Sequence, residues 1–116
     1  MRPRRVLIID EHGPSIAVLL HVLEARGCTC MAVSTATEAL DCIAAFQPDV
    51  VVYEWLRRDG AGEGLAKRLR DASTAVRTVI ALSAHDEPDG FRESEHVDDY
   101  LTKPFDAAQL ESALEH

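Results

Sequence analysis

Four short strand-like runs in this chain each stop at residues whose side chains can do chemistry. Val6-Leu7-Ile8-Ile9 ends in Asp10 and Glu11, Val50-Val51-Val52-Tyr53 in Glu54, Thr78–Leu82 in Ser83, and Asp99–Thr102 in Lys103. If these ends share one crevice, three carboxylates meet there and repel one another unless a cation intervenes. Oxygen donors grouped in this way suit Mg²⁺, which is held by a few carboxylates together with waters and phosphate oxygens. A lysine at the rim offers a point charge to a phosphoryl group or a carboxylate, and the Ser83 hydroxyl can hydrogen-bond the same anion. Taken singly, Asp10 could be a surface acid or a helix cap, and Ser83 could cap the next helix. The position of Asp10 after an apolar strand, in company with Glu11 and Lys103, favours the pocket.

The elements that must position these residues follow from hydrophobic pattern. Wholly apolar, β-branched runs such as Val6–Ile9 and Val50–Tyr53 read as strands buried on both faces. Ile16, Leu19, Leu20 and Leu23 recur at helical spacing, and Gly27 stands where that helix should stop. Cys28–Val33 reads as a second strand. Thr35 with Glu38 forms a capping-box pattern ahead of Ala39, Leu40, Ile43 and Phe46, and Pro48 ends that helix. A loop rich in Gly and Arg follows Glu54, then a helix around Leu65, Leu69 and Ala72. Asp106 and Gln109 repeat the capping pattern before a last helix carrying Leu110 and Ala113. Strand and helix alternate about five times, which calls for right-handed crossovers and a parallel sheet covered on both faces. In such α/β sheets, sites form beyond the carboxyl ends of the strands.

Composition bounds the function. A chain of 116 residues builds one core. Apolar runs such as Ile16–Leu20 and Val50–Tyr53 are far too short to span a bilayer, and no signal-peptide pattern opens the chain. A formal net charge of −8 excludes a general nucleic-acid binder; Arg2, Arg4 and Arg5 read as a solvated edge before the first strand. Cys28, Cys30 and Cys42 make an odd count that fits a reducing cytoplasm better than a disulfide framework. Cys28-Thr29-Cys30 has no second Cys/His pair at finger-like spacing, and His12, His21, His85 and His96 are scattered, so the cysteines read as small buried hydrophobes. Gly60-Ala61-Gly62-Glu63-Gly64 lacks both the third glycine of a dinucleotide loop and the lysine of a P-loop; it reads as a flexible loop. Lys67-Arg68-Leu69-Arg70 reads as the solvated face of its helix. Trp55 reads as a rim residue beside Glu54. Residues 1–113 form the domain, and Leu114-Glu115-His116 reads as the start of a vector-encoded histidine tag.

The chain resembles the receiver domain of bacterial two-component response regulators. The resemblance rests on Leu7-Ile8-Ile9-Asp10-Glu11, Pro48-Asp49-Val50-Val51-Val52-Tyr53-Glu54, Ala81-Leu82-Ser83-Ala84 and Asp98-Asp99-Tyr100-Leu101-Thr102-Lys103-Pro104-Phe105. It covers essentially the whole chain, and the last run is the most specific. It implies a flavodoxin-like (βα)5 sandwich with a central parallel five-stranded sheet, and a cytoplasmic, non-enzymatic phosphorelay module. It also implies that Asp10 and Glu11 hold Mg²⁺ with the residue at position 54, that Ser83 and Lys103 contact phosphate, and that Tyr100 reports the state. Tyr100 as simple packing stays equally open. Implied partners are a histidine kinase or phosphotransfer protein, an output domain or partner protein on the face of the fourth and fifth helices, and a homodimer.

The family's phosphoacceptor is aspartate, whereas position 54 is glutamate. One extra methylene carries the carboxylate roughly 1.5 Å further, a scale at which in-line phosphoryl transfer is sensitive. Glu11 replaces the usual metal-touching aspartate, and Arg58 replaces the usual proline. The segment from Ser83 to Lys103 is slightly short and holds Pro88 and Gly90, so the fourth helix is expected to be short or irregular. The expectation is a pseudo-receiver in which Glu54 reaches Lys103 or Ser83 and imitates a phosphorylated aspartate. The competing readings are a receiver phosphorylated weakly or on a non-standard acceptor, a flavodoxin-like nucleotide or flavin binder, and a small hydrolase. The absent glycine fingerprint and Lys103-Pro104-Phe105 oppose the last two.

Overall fold

The computed structural model describes residues 4–56 and 60–115. Five strands and five helices alternate: β1 (Arg5–Ile9), α1 (Gly13–Ala25), β2 (Thr29–Val33), α2 (Ala36–Phe46), β3 (Val50–Glu54), α3 (Leu65–Ala72), β4 (Thr78–Ser83), α4 (Phe91–Glu95), β5 (Asp99–Thr102) and α5 (Ala107–Leu114). All neighbouring strands pair in parallel, in the order β2-β1-β3-β4-β5. The chain leaves β1 toward one edge and returns to β3 on its other side. That reversal opens a crevice at the carboxyl ends of β1 and β3.

The apolar strands are explained by a core on each face of the sheet. Leu7, Ile9, Val51 and Tyr53 pack under α2, α3 and α4 with Ala39, Ile43, Leu65, Leu69 and Phe91. Val6, Ile8, Val50 and Val52 face the other way, onto Leu19 and Leu23 of α1 and Leu110 of α5. Alternate side chains leave opposite faces of a strand, so strands covered twice must be apolar throughout.

Both capping boxes form. Thr35 Oγ1 accepts from the Glu38 N–H at 3.1 Å, and Asp106 Oδ1 from the Gln109 N–H at 2.8 Å. Gly27, with φ of 85°, supplies the left-handed residue just beyond α1. Several boundaries differ from the pattern reading. The second strand begins at Thr29 rather than Cys28. α2 stops at Phe46, before Pro48 can act, because Gln47 turns left-handed (φ 54°) and donates its N–H to Ile43 O. Arg5 holds the same terminus, donating Nε to Phe46 O at 2.8 Å with its guanidinium 4.4 Å above the Phe46 ring. Leu114 closes α5 and is buried in the core, so the packed domain includes a residue assigned above to a tag. α4 is only five residues long, between the left-handed Gly90 and His96.

The basic face of α3 is only partly solvated. Lys67 pairs with Asp71 on the surface, but Arg70 donates to His96 O and to Asp98 Oδ2 at 2.7 Å, tying α3 to the start of β5. In the loop before α3, a Cβ on Gly62 would collide with the carbonyl oxygen of Trp55. Only glycine lets this loop close against the end of β3.

Among the described residues, Tyr53 is the largest fully buried side chain, and its hydroxyl has no hydrogen-bond partner there. Burial pushes the phenol pKa up, with Glu95 and Tyr100 adding to the shift. An orphaned buried hydroxyl carries its full desolvation cost. Tyr53→Phe is therefore expected to raise stability by about 1 kcal/mol, seen as a higher urea midpoint at unchanged slope. A lower midpoint would show that the hydroxyl is satisfied.

Candidate functional site

The sheet register sets the strand ends level. Ile9 lies opposite Tyr53, Glu54 opposite Leu82, and Ser83 opposite Thr102. Backbone bonds extend the ladder past these ends: Trp55 N–H donates to Leu82 O at 2.8 Å, and Lys103 N–H to Ser83 O at 2.7 Å. Asp10, Glu54 and Lys103 consequently emerge together.

Lys103 Nζ lies 2.6 Å from Glu54 Oε2 and 3.3 Å from Asp10 Oδ2. Asp10 is almost completely buried, and its other oxygen accepts from the His12 N–H at 2.9 Å. Glu54 Oε2 is sealed from solvent and takes no aligned hydrogen bond, so its partner is the ammonium charge itself. One lysine thus compensates two carboxylates in a largely dry crevice, where such compensation matters most.

The other candidates stand differently. Glu11 is exposed. Ser83 is fully buried, and its hydroxyl accepts from the His85 N–H at 3.1 Å. It braces the turn after β4 rather than capping a helix, since α4 begins at Phe91 behind Gly90. Tyr100 is turned inward, 7 % exposed, with its hydroxyl donating to His85 O at 2.8 Å. Arg58 lies outside the described residues.

Sequence reasoning missed Phe91 and Glu95. Phe91 meets Trp55 edge-on at 4.7 Å and Tyr100 at 5.0 Å, so three rings run from beside Glu54 to β5. Trp55 is half-buried, as a rim residue should be. Glu95 accepts from the Gly64 N–H at 2.9 Å, serving the uncapped start of α3 from across the loop. Neither role has a local signal, because each depends on a partner about thirty residues or more away in sequence.

Removal of the Tyr100 hydroxyl leaves the His85 carbonyl short of a donor. Tyr100→Phe is expected to lower stability by about 1 kcal/mol in urea unfolding. No measurable loss would mean that the ring packing against Phe91 suffices.

Among the described residues, no group of three His, Cys, Asp or Glu side chains could hold a metal ion. The Lys103 ammonium already lies between the two carboxylates. As folded, Lys103 bridges Asp10 and Glu54, two of the three carboxylates expected to hold Mg²⁺. Beside the lysine, His12, Pro14, Ser15, Val18, Pro104 and Phe105 line an open pocket of about 390 Å³.

A doubly wound parallel sheet with an acid–lysine cluster at its switch point defines a flavodoxin-like signalling domain. The family model for the response regulator receiver domain matches residues 6–115, and the chain belongs to that family. It is 32% identical over 114 residues to the phosphate regulon transcriptional regulatory protein PhoB of Pseudomonas aeruginosa, covering 96% of this chain and 50% of that protein. The chain spans about half the length of the curated PhoB relatives it matches. Among solved structures, a CheY-like receiver domain from Methylobacillus flagellatus superposes with a TM-score of 0.85 at 26% identity, covering 98% of each chain. A two-component response regulator from Clostridium difficile gives 0.84 at 25% identity, covering 97% of this chain and 93% of that one. The flavodoxin-like architecture expected from the sequence is borne out, including the short fourth helix. Among the described residues, no helix is long and apolar enough to cross a membrane.

Proposed function

We propose that this receiver domain is a pseudo-receiver, working in a phosphorelay pathway through protein contacts without accepting phosphate itself. The observation that carries this reading is the 2.6 Å contact between Glu54 and Lys103. In the resemblance, that lysine serves a phosphoryl group on an aspartate; here the longer glutamate carboxylate takes its charge. The inward Tyr100, bonded to His85 O, belongs to the same held state. Because Lys103 already compensates the acids, Mg²⁺ is not needed to hold them together.

We infer a cytoplasmic setting, where a histidine kinase or phosphotransfer protein would meet the domain. The face of α4, β5 and α5 is the surface assigned to an output domain or partner. Ten acidic residues follow Ser83 against only Arg92 and Lys103, so the whole formal charge of −8 resides in that part of the chain. Like charge opposes a symmetric pairing of this face and favours a basic partner. Sedimentation at low ionic strength is expected to give a monomer; a dimer that tightens as salt is removed would contradict this.

Incubation with ³²P-acetyl phosphate and Mg²⁺ tests the main reading. No stable acyl phosphate is expected on the wild-type chain, and Trp55 fluorescence should stay flat on addition of Mg²⁺ with beryllofluoride. Labelling of Glu54, or a saturable change in Trp55 emission, would instead identify a working receiver with a glutamate acceptor.

A further inference from the structure

We propose that Cys28 and Cys30 form a two-coordinate site for a soft monovalent cation, Cu(I), at the amino-terminal edge of the sheet. This site lies at the opposite end of the strands from Glu54 and does not depend on the function proposed above.

β2 is an edge strand bonded only to β1, and Cys30 sits within it opposite Val6. Cys28 comes one residue before the strand, held by its N–H to Leu23 O at 3.1 Å. Both thiols are free and half-buried, and both pack against the core half beneath α1 and α5. They therefore share one face of the strand and remain reachable from solvent.

Residues two apart along an extended chain have Cα atoms about 6.5–7 Å apart, with side chains leaving in parallel. A disulfide requires Cβ atoms within about 4.5 Å, which parallel side chains at that spacing do not reach. A metal ion between the sulfurs relaxes this demand. With metal–sulfur bonds of about 2.3 Å, a linear S–M–S unit spans about 4.6 Å, a separation that the two thiols would have to adopt on binding. Paired thiolates select soft ions such as Cu(I) over hard ones. No third His, Cys, Asp or Glu among the described residues completes a larger metal cluster with them, so the arrangement suits two-coordination rather than tetrahedral zinc.

On binding, each thiol releases its proton to solvent, two S–Cu bonds form, and no electron is transferred. Cys42 is the internal control: it lies on α2, against the other half of the core, with its thiol directed to Ala39 O.

The test is an anaerobic titration of the intact chain with Cu(I) in competition with bathocuproine disulfonate. One Cu(I) per chain is expected. Cys28→Ser and Cys30→Ser should each abolish that stoichiometry at the same chelator concentration, and Cys42→Ser should leave it unchanged. Failure of the wild-type chain to compete, retention of copper by the Cys28→Ser/Cys30→Ser double variant, or its loss in Cys42→Ser would overturn the proposal. X-ray absorption on the wild-type copper complex decides the matter without any variant. Two sulfur neighbours support the site, and a larger shell or nitrogen and oxygen donors reject it.

Discussion

Lys103→Ala is expected to destabilise the domain by about 3 kcal/mol, the lower end of what breaking a buried ion pair costs. The value sits at that end because Lys103 and Glu54 keep about a fifth of their side-chain surface exposed, at 21% and 18%. Asp10 does not share this relief. Its side chain is 2% exposed, and without the ammonium the His12 N–H is the partner that remains to it among the described residues. Two carboxylates would then face each other across a crevice too dry to screen them. Urea unfolding measures the loss. A double variant, Lys103→Ala with Glu54→Gln, should recover part of it, because one of the repelling charges is gone. If Lys103→Ala costs under about 1 kcal/mol, as exposed pairs do, the cluster is a surface feature and the held-state reading fails.

The second large effect concerns chemistry. Glu54→Asp is expected to raise acyl-phosphate formation from acetyl phosphate by about 100-fold, the penalty associated with an ångström-scale misplacement of a reacting group. The shorter side chain withdraws from Lys103, which frees the ammonium to meet an incoming phosphoryl group and leaves room for in-line attack. Trp55 adjoins position 54 and meets Phe91 edge-on, so its emission should report the change. Labelling that stays absent in Glu54→Asp would move the block elsewhere in the pocket, Glu11 being the first place to look. Labelling equal to that of the wild-type chain would show that glutamate was never the obstacle.

Much of the framework was legible because it is governed by neighbours in sequence. Val6–Ile9 and Val50–Tyr53 could only be doubly covered strands, since an apolar run of that length has no solvent face to offer. Thr35 with Glu38, and Asp106 with Gln109, cap their helices through contacts three residues apart. Pro88 and Gly90 foretold a broken fourth helix, and five residues formed. The alternation of elements then sent Asp10, Glu54, Ser83 and Lys103 to one end of the sheet.

Which of those side chains would meet was decided only by the tertiary structure. Asp10 and Lys103 are separated by 93 positions and touch, while Glu11, next to Asp10, stays exposed because consecutive residues leave a strand end in different directions. Ser83 spends its hydroxyl on the following turn. Tyr100, left open between packing and switching, is drawn inward by Phe91 and the His85 carbonyl. Arg70 leaves the solvent for Asp98 on a different element. By itself the sequence determined the parallel sheet and the class of residues gathered at its carboxyl edge, through periodicity and capping that act over a few residues. The tertiary structure alone decided that one lysine neutralises two acids. That outcome depends on charges distant in sequence meeting in a largely buried crevice.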